Sequence, residues 1–253
     1  MIPYGKHFID DDDIAAVIEV LKRSNLKQGP AVDEFEQDIA NFVGAKYAVA
    51  VSSATAGLFL STNALSAESI DTSFYTSPIT FVASSNAALY CGLKPIFIDV
   101  EEDTVNICPL QLQEKISTDS NKVKIIMPVH FAGLPCKMDK ISKIASNSGA
   151  VIIEDAAHAL GAKYECGSMV GSCKYSTFTV FSFHPVKNIS TGEGGVITTN
   201  DQDLYLKLLR LRSHGINKLD DGMLNIKRAY TDGEINPWYY EMQELGFHFR
   251  ITD

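Results

Sequence analysis

Apolar residues fall on one helical face over 11–23, where Ile14, Val17, Ile18 and Leu21 repeat at three- and four-residue steps. Asp10 to Asp13 stand at the start of that run, where carboxylates suit the positive end of a helix. Val32, Phe35, Ile39 and Phe42 predict a second helix over 31–43. The pattern then changes. Short runs that are apolar on both faces alternate with longer amphipathic ones. Strand 47–51 (YAVAV) precedes helix 54–65, strand 73–76 precedes helix 80–90, and strand 95–98 precedes helix 109–117. Strand 123–127 precedes helix 137–147, strand 150–154 follows, and strands 176–182 and 195–199 lead to helix 201–212. Repeated strand–helix order with doubly apolar strands predicts an α/β fold: a mostly parallel sheet with helices on both faces. No internal repeat and no low-complexity linker interrupts it.

In such sheets ligands bind beyond the carboxyl ends of the strands. Polar residues gather at those ends. Ser52, Ser53 and Thr55 follow strand 47–51, and Thr80 and Phe81 follow 73–76. His130 follows 123–127, Asp155 and His158 follow 150–154, and Ser182, His184 and Lys187 follow 176–182. Residues far apart in the chain are thereby expected on one rim.

Composition narrows the function classes. The 253 residues are 45% hydrophobic and 21% charged, as in a soluble globular protein. A formal charge of −9, with no Lys/Arg cluster, argues against a general nucleic-acid binder. The five cysteines are scattered and never form a CxxC, so reduced thiols in a cytoplasmic protein are expected. The polar, acidic start MIPYGKHFIDDDD is no signal peptide, and no apolar run reaches the roughly 20 residues of a membrane span.

The stretch 177–195, TFTVFSFHPVKNISTGEGG, carries the most chemistry. An apolar strand ends abruptly in a loop with one lysine and three glycines. A loop lysine is ordinarily a solvated one. Just past a buried strand, however, Lys187 would be partly desolvated, which favours the neutral amine, a nucleophile toward an aldehyde. That chemistry needs a cofactor aldehyde, an acid to tune it and an anion site to hold it. Asp155, in EDAAHALGA, is either a capping or ion-paired carboxylate or the acid under a pyridine nitrogen. His158, three residues on, is either a satisfied polar histidine or a contact to the same ring. Ser53, Ala54 and Thr55 open helix 54–65, an ordinary cap that is also suited to a phosphate, and Ser182 could add a hydroxyl. Phe81 is either core or a ring that stacks on a planar ligand. Gly192, Gly194 and Gly195 permit tight backbone near a ligand. Rival motifs are absent: no GxGxxG after the first strand and no Walker A run. Gly167-Ser168 is no nucleophile elbow. His130, His158 and Cys173 lack metal-ligand spacing, so no metal is expected.

The runs QGPAVDEFE, AVAVSSATAGL, SPITFVASSNAALYCG, PVHFAG, IIEDAAHALGA, FSFHPVKNISTGEGG, LRSHGI and LGFHFRITD resemble the DegT/DnrJ/EryC1/StrS family of sugar aminotransferases, which use pyridoxal 5'-phosphate. The resemblance covers nearly the whole chain. It implies the large domain of a fold-type I pyridoxal phosphate-dependent transferase. Residues 1–30 would be an N-terminal segment and helix, and 31–253 the cofactor-binding large domain, incomplete at its C-terminus and without the small C-terminal domain. Lys187 would be the Schiff-base lysine, Asp155 the pyridinium partner, Phe81 the stacking ring and His158 a neighbour of that ring. Ala54, Thr55 and Ser182 would hold the phosphate.

The runs IPYGK, ALYCG, FSFHPVK, RSHGI and WYYEMQELGFHFRITD are similar to the branch that serves pseudaminic acid biosynthesis. That likeness implies transfer of an amino group from glutamate to C4 of a UDP-linked 4-keto-6-deoxy-N-acetylhexosamine. It also implies a homodimer whose segment near 246–250 approaches the neighbour's cofactor. His248 stands where many relatives have asparagine. Some members carry histidine in place of the lysine and act as dehydratases; Lys187 favours transamination. A chain of this length is expected to expose apolar surface and to be poorly stable or inactive on its own. The alternative is a non-catalytic relative that keeps only cofactor or partner binding.

Overall fold

A computed structural model of the chain describes residues 5–23, 25–27, 29–66, 71–121, 123–217 and 222–253. Residues 2–4 of the IPYGK run, and the corresponding part of the 1–30 segment, lie outside the described residues. The first helix, α1 (Asp11–Lys22), starts with a reciprocal cap: the Asp10 carboxylate accepts the N–H groups of Asp12 and Asp13, and Asp13 accepts that of Asp10. Its apolar face is present as the periodicity predicts, but α1 buries none of its residues. Helix α2 (Pro30–Val43) follows, and Ile39, Ala40 and Val43 pack inward.

The next elements alternate as expected. They are β1 (Tyr47–Val51), α3 (Ala54–Ser66), β2 (Thr72–Thr76), α4 (Val82–Tyr90), β3 (Pro95–Phe97), α5 (Pro109–Ser117) and β4 (Val123–Met127). After them come α6 (Met138–Ser148), β5 (Val151–Asp155), β6 (Phe178–Ser182), β7 (Gly195–Thr199) and α7 (Gln202–Arg212). The sheet order is β1-β7-β6-β5-β4-β2-β3. All neighbouring pairs are parallel except those of β7, which runs against both β1 and β6. Strand alternation divides the core. Ile126, Ile152 and Phe181 face α2, α5 and α6, whereas Phe74, Ile125, Ile153, Phe178, Val180 and Ile197 face α3, α4 and α7.

Strand β1 lies at the sheet edge, and charged side chains satisfy its free backbone. The Ala50 N–H donates to Glu36 Oε1 at 2.7 Å, and Arg212 Nη1 donates to the Ala50 carbonyl at 2.8 Å and to Glu36 at 2.5 Å. Burial pushes the Glu36 carboxyl up, and Arg212 pulls it back. The last residue reaches back to the first large helix: Asp253 accepts the N–H groups of Gly29 (2.6 Å) and Val32 (3.0 Å), capping α2 where Gly29 has no side chain to do so.

Candidate functional site

Register brings the candidate residues to one rim. Because β7 is reversed, its first residue, Gly195, lies opposite the last residues of both neighbours, Val51 and Ser182. Asp155 ends β5 two positions beyond Ile153, so it shares the face covered by α3 and α4, as does Ser182 two positions beyond Val180. Gly195 also sets how close the elements come. A Cβ there would stand 2.6 Å from the Ala54 nitrogen, so the start of α3 rests directly on β7. The Ser53 hydroxyl accepts the Ala56 N–H and the Ser53 carbonyl the Gly57 N–H. The N–H groups of Ala54 and Thr55, in the first turn, have no partner in the helical ladder and stand at its positive end.

Lys187 lies in a loop closed by its own backbone: Lys187 N donates to His184 O, and Thr191 N to Phe183 O. Its Nζ stands 2.5 Å from His158 Nε2. Burial lowers the proton affinity of the Lys187 amine, against the pull of the Asp155 carboxylate. Burial and then Lys187 lower that of His158, while Asp155 raises it. The stretch from Asp155 to His158 is a turn, not a helix, closed by Ala159 N on Ala156 O at 2.8 Å. Gly133 shapes that turn from above: its φ is +87°, and a Cβ would stand 2.6 Å from the His158 carbonyl oxygen.

The Asp155 carboxylate, only 5% exposed, is held on both oxygens. Oδ1 accepts the Ala157 N–H at 3.2 Å and Oδ2 the Ser84 hydroxyl at 2.6 Å. Ser84 lies in the first turn of α4, whose N-cap is Phe81. The Phe81 ring is 76% exposed, which is unusual for so apolar a group. Thus Lys187 and His158 touch, with the Asp155 carboxylate near enough to act on both; Ala54 and Ser182 flank Gly195, with Thr55 next in α3; and Phe81 is tied to Asp155 through α4.

His130 does not share this rim. It is 1% exposed and points into the opposite layer. Its Nε2 lies 2.8 Å from Glu154, while its Nδ1 accepts the Cys136 N–H at 3.1 Å. Burial opposes a charge on the ring, while Cys136 and Glu154 raise its proton affinity; the Cys136 N–H occupies Nδ1, so the proton facing Glu154 sits on Nε2. Glu154 also accepts from Tyr164 (2.7 Å), Ser176 (2.5 Å) and Thr179 (3.1 Å); against the burial that would raise it, His130 first, then Ser176 and Tyr164, hold its carboxyl below the usual range. This buried knot fixes β5 one residue before Asp155. The sequence reading did not assign roles to Ser84, Gly133 or Glu154. For Ser84 a signal existed: it falls four residues after Thr80 and three after Phe81, on one helical face.

The residues fit pyridoxal phosphate by the chemistry of the donor set. A partly desolvated amine, a held carboxylate, an exposed aromatic ring and a helix start correspond to its aldehyde, ring nitrogen, ring face and phosphate.

A model of the DegT/DnrJ/EryC1/StrS aminotransferase family matches residues 7–253. The UDP-4-amino-4,6-dideoxy-N-acetyl-beta-L-altrosamine transaminase of Campylobacter jejuni is 39% identical over 253 residues, covering 100% of this chain and 61% of its own length. Among solved structures, Helicobacter pylori PseC, an aminotransferase involved in the biosynthesis of pseudoaminic acid, superposes with a TM-score of 0.85 at 31% identity. The match covers 99% of this chain and 62% of PseC. The PLP-form of the sugar aminotransferase Spr1654 from Streptococcus pneumoniae gives a TM-score of 0.83 at 25% identity, over 99% of this chain and 63% of Spr1654. The chain thus spans about three fifths of the length of these relatives.

Proposed function

We propose, from the premise that this chain belongs to the DegT/DnrJ/EryC1/StrS aminotransferase family, that it is the cofactor-binding part of a nucleotide-sugar aminotransferase. The substrate we favour is a UDP-linked 4-keto-6-deoxy-N-acetylhexosamine, aminated at C4 with glutamate as donor, in a homodimer. The likeness to the Campylobacter and Helicobacter proteins supports the substrate class. Residues 31–253 would form the large domain and 1–30 its N-terminal segment.

Pyridoxal phosphate, when bound, supplies an aldehyde carbon and an electron-withdrawing ring. Lys187 Nζ, partly desolvated and in contact with His158, is the nucleophile for that aldehyde. The same nitrogen, once free, moves a proton at the carbon that gains or loses the amino group. Asp155 keeps a proton on the ring nitrogen. Phe81 covers one ring face and keeps water from it. The N–H groups of Ala54 and Thr55 and the Ser182 hydroxyl hold the phosphate. His158, in contact with Lys187 Nζ, accepts its hydrogen bond and orients the amine.

The observation that carries this reading is the 2.5 Å Lys187–His158 contact, with the Asp155 carboxylate at a separate strand end near enough to act on both charges. The purified chain, mixed with pyridoxal phosphate and reduced with borohydride, is expected to carry the cofactor mass on the peptide containing Lys187. Glutamate added before reduction is expected to remove the near-visible band. A label elsewhere, or none, would end the reading. A label on Lys187 that no amino donor changes would instead favour a cofactor-binding relative without transfer.

A further inference from the structure

Ser84 is fully buried, yet its one hydroxyl proton has three oxygens within reach: Asp155 Oδ2 at 2.6 Å, Thr80 Oγ1 at 2.7 Å and the Phe81 carbonyl at 3.3 Å. An ionised carboxylate can only accept, and it is the nearest and the charged partner, so the Ser84 proton goes to Asp155. Thr80 must then donate to Ser84. A directed chain results, Thr80 Oγ1–H to Ser84 Oγ, and Ser84 Oγ–H to Asp155 Oδ2. With Ala157 N–H on Oδ1, it fixes the carboxylate plane from both sides. Its members occupy the same short turn as Phe81, the N-cap of α4.

We infer that Thr80 and Ser84 are positioning residues, which orient the Asp155 carboxylate toward the ring nitrogen of the cofactor and lock it to the turn that presents Phe81. This rests on the reading of Asp155 given above. The turn and the carboxylate therefore behave as one unit. Loss of the Ser84 hydroxyl leaves Oδ2 without this donor and the carboxylate free to rotate, while leaving Lys187 and the phosphate-holding groups in place.

The test compares two probes, pyridoxal phosphate and its 1-deaza analogue, in which carbon replaces the ring nitrogen. Affinities are measured by fluorescence titration for the unaltered chain, for Ser84→Ala and for the isosteric Thr80→Val. Borohydride mass mapping to Lys187 first checks the underlying site; failure there removes the site reading and this inference with it. With the site in place, Ser84→Ala is expected to weaken pyridoxal phosphate about tenfold, the worth of one hydrogen bond to a charged group. The affinity for the deaza analogue is expected to hold within about twofold. Thr80→Val is expected to show the same one-sided pattern at about threefold, and it decides the matter should Ser84→Ala fail to fold. Equal weakening of both probes would mean a general packing role and would overturn the inference, as would no change with either.

Discussion

Lys187 and His158 constrain each other's charge. Burial lowers the tendency of both to hold a proton, and the Lys187 charge lowers that of His158 further, while Asp155 opposes both. Removing the lysine ammonium removes one of the two causes that hold His158 below its ordinary 6.5. In Lys187→Ala the His158 ring protons are therefore expected to titrate at higher pH by NMR; an unchanged midpoint would deny the contact. The same depression has a stability consequence. The folded chain holds its His158 proton less tightly than the unfolded chain, so unfolding takes up a proton as pH falls. The His158 contribution is complete above the unfolded value of 6.5 and is lost as pH drops through that value toward the lower folded one. The difference in melting temperature between the unaltered chain and His158→Gln should accordingly change between about pH 7 and pH 5 and be flat above it.

The element scale shows why some of the fold could be read from residues alone. Strands 47–51, 123–127 and 195–199 and helix 109–117 match their predicted bounds, because short runs rich in apolar and β-branched residues and, for the helix, a proline start leave little freedom. Helix 80–90 begins instead at Val82, since Thr80 spends its hydroxyl on Ser84 and Phe81 stays extended as the N-cap. The reversal of β7 could not be read, because an apolar strand carries no mark of direction. Nor could the pairing of Ile216–Asn217 with Glu241–Met242, which is too short to show a period. The sequence did not show that His130 turns away from the rim either: its partner Glu154 is adjacent to Asp155 but on the other face. The edge strand makes a prediction here. Arg212→Ala would leave the buried Glu36 carboxylate beside Ala50 without its cation, and is expected to cost about 3–5 kcal/mol in denaturant unfolding. Adding Glu36→Gln should recover a large part of that loss; full additivity of the two changes would show that they do not interact.

Over the whole molecule, two layers of helix enclose one sheet, and the candidate site lies on the α3–α4 side at the rim where six strands end and β7 begins. The family match runs from residue 7 to residue 253, while the chain spans about 61% of the Campylobacter relative. Of the described helices, α1 alone has an apolar face with no buried residue among those that carry it, Ile14, Val17, Ile18 and Leu21. At the other end, Asp253 is bound to the start of α2, so the described chain closes on itself near Gly29.

Gly195 touches both halves of that rim. It lies beside Ser182 at the head of the Lys187 loop, and only its missing side chain lets the first turn of α3 settle against it. Gly195→Ala is therefore expected to weaken pyridoxal phosphate more than tenfold by roughly uniform loss across phosphate and amine contacts, read as slower labelling of Lys187 together with lower inorganic phosphate competition. Labelling at the ordinary rate would show that the two halves tolerate separation. One hydrogen atom in place of a methyl group here acts as a hinge pin: a single backbone position sets the spacing between the start of α3 and the end of β6, so a shift of one element would be transmitted to the other.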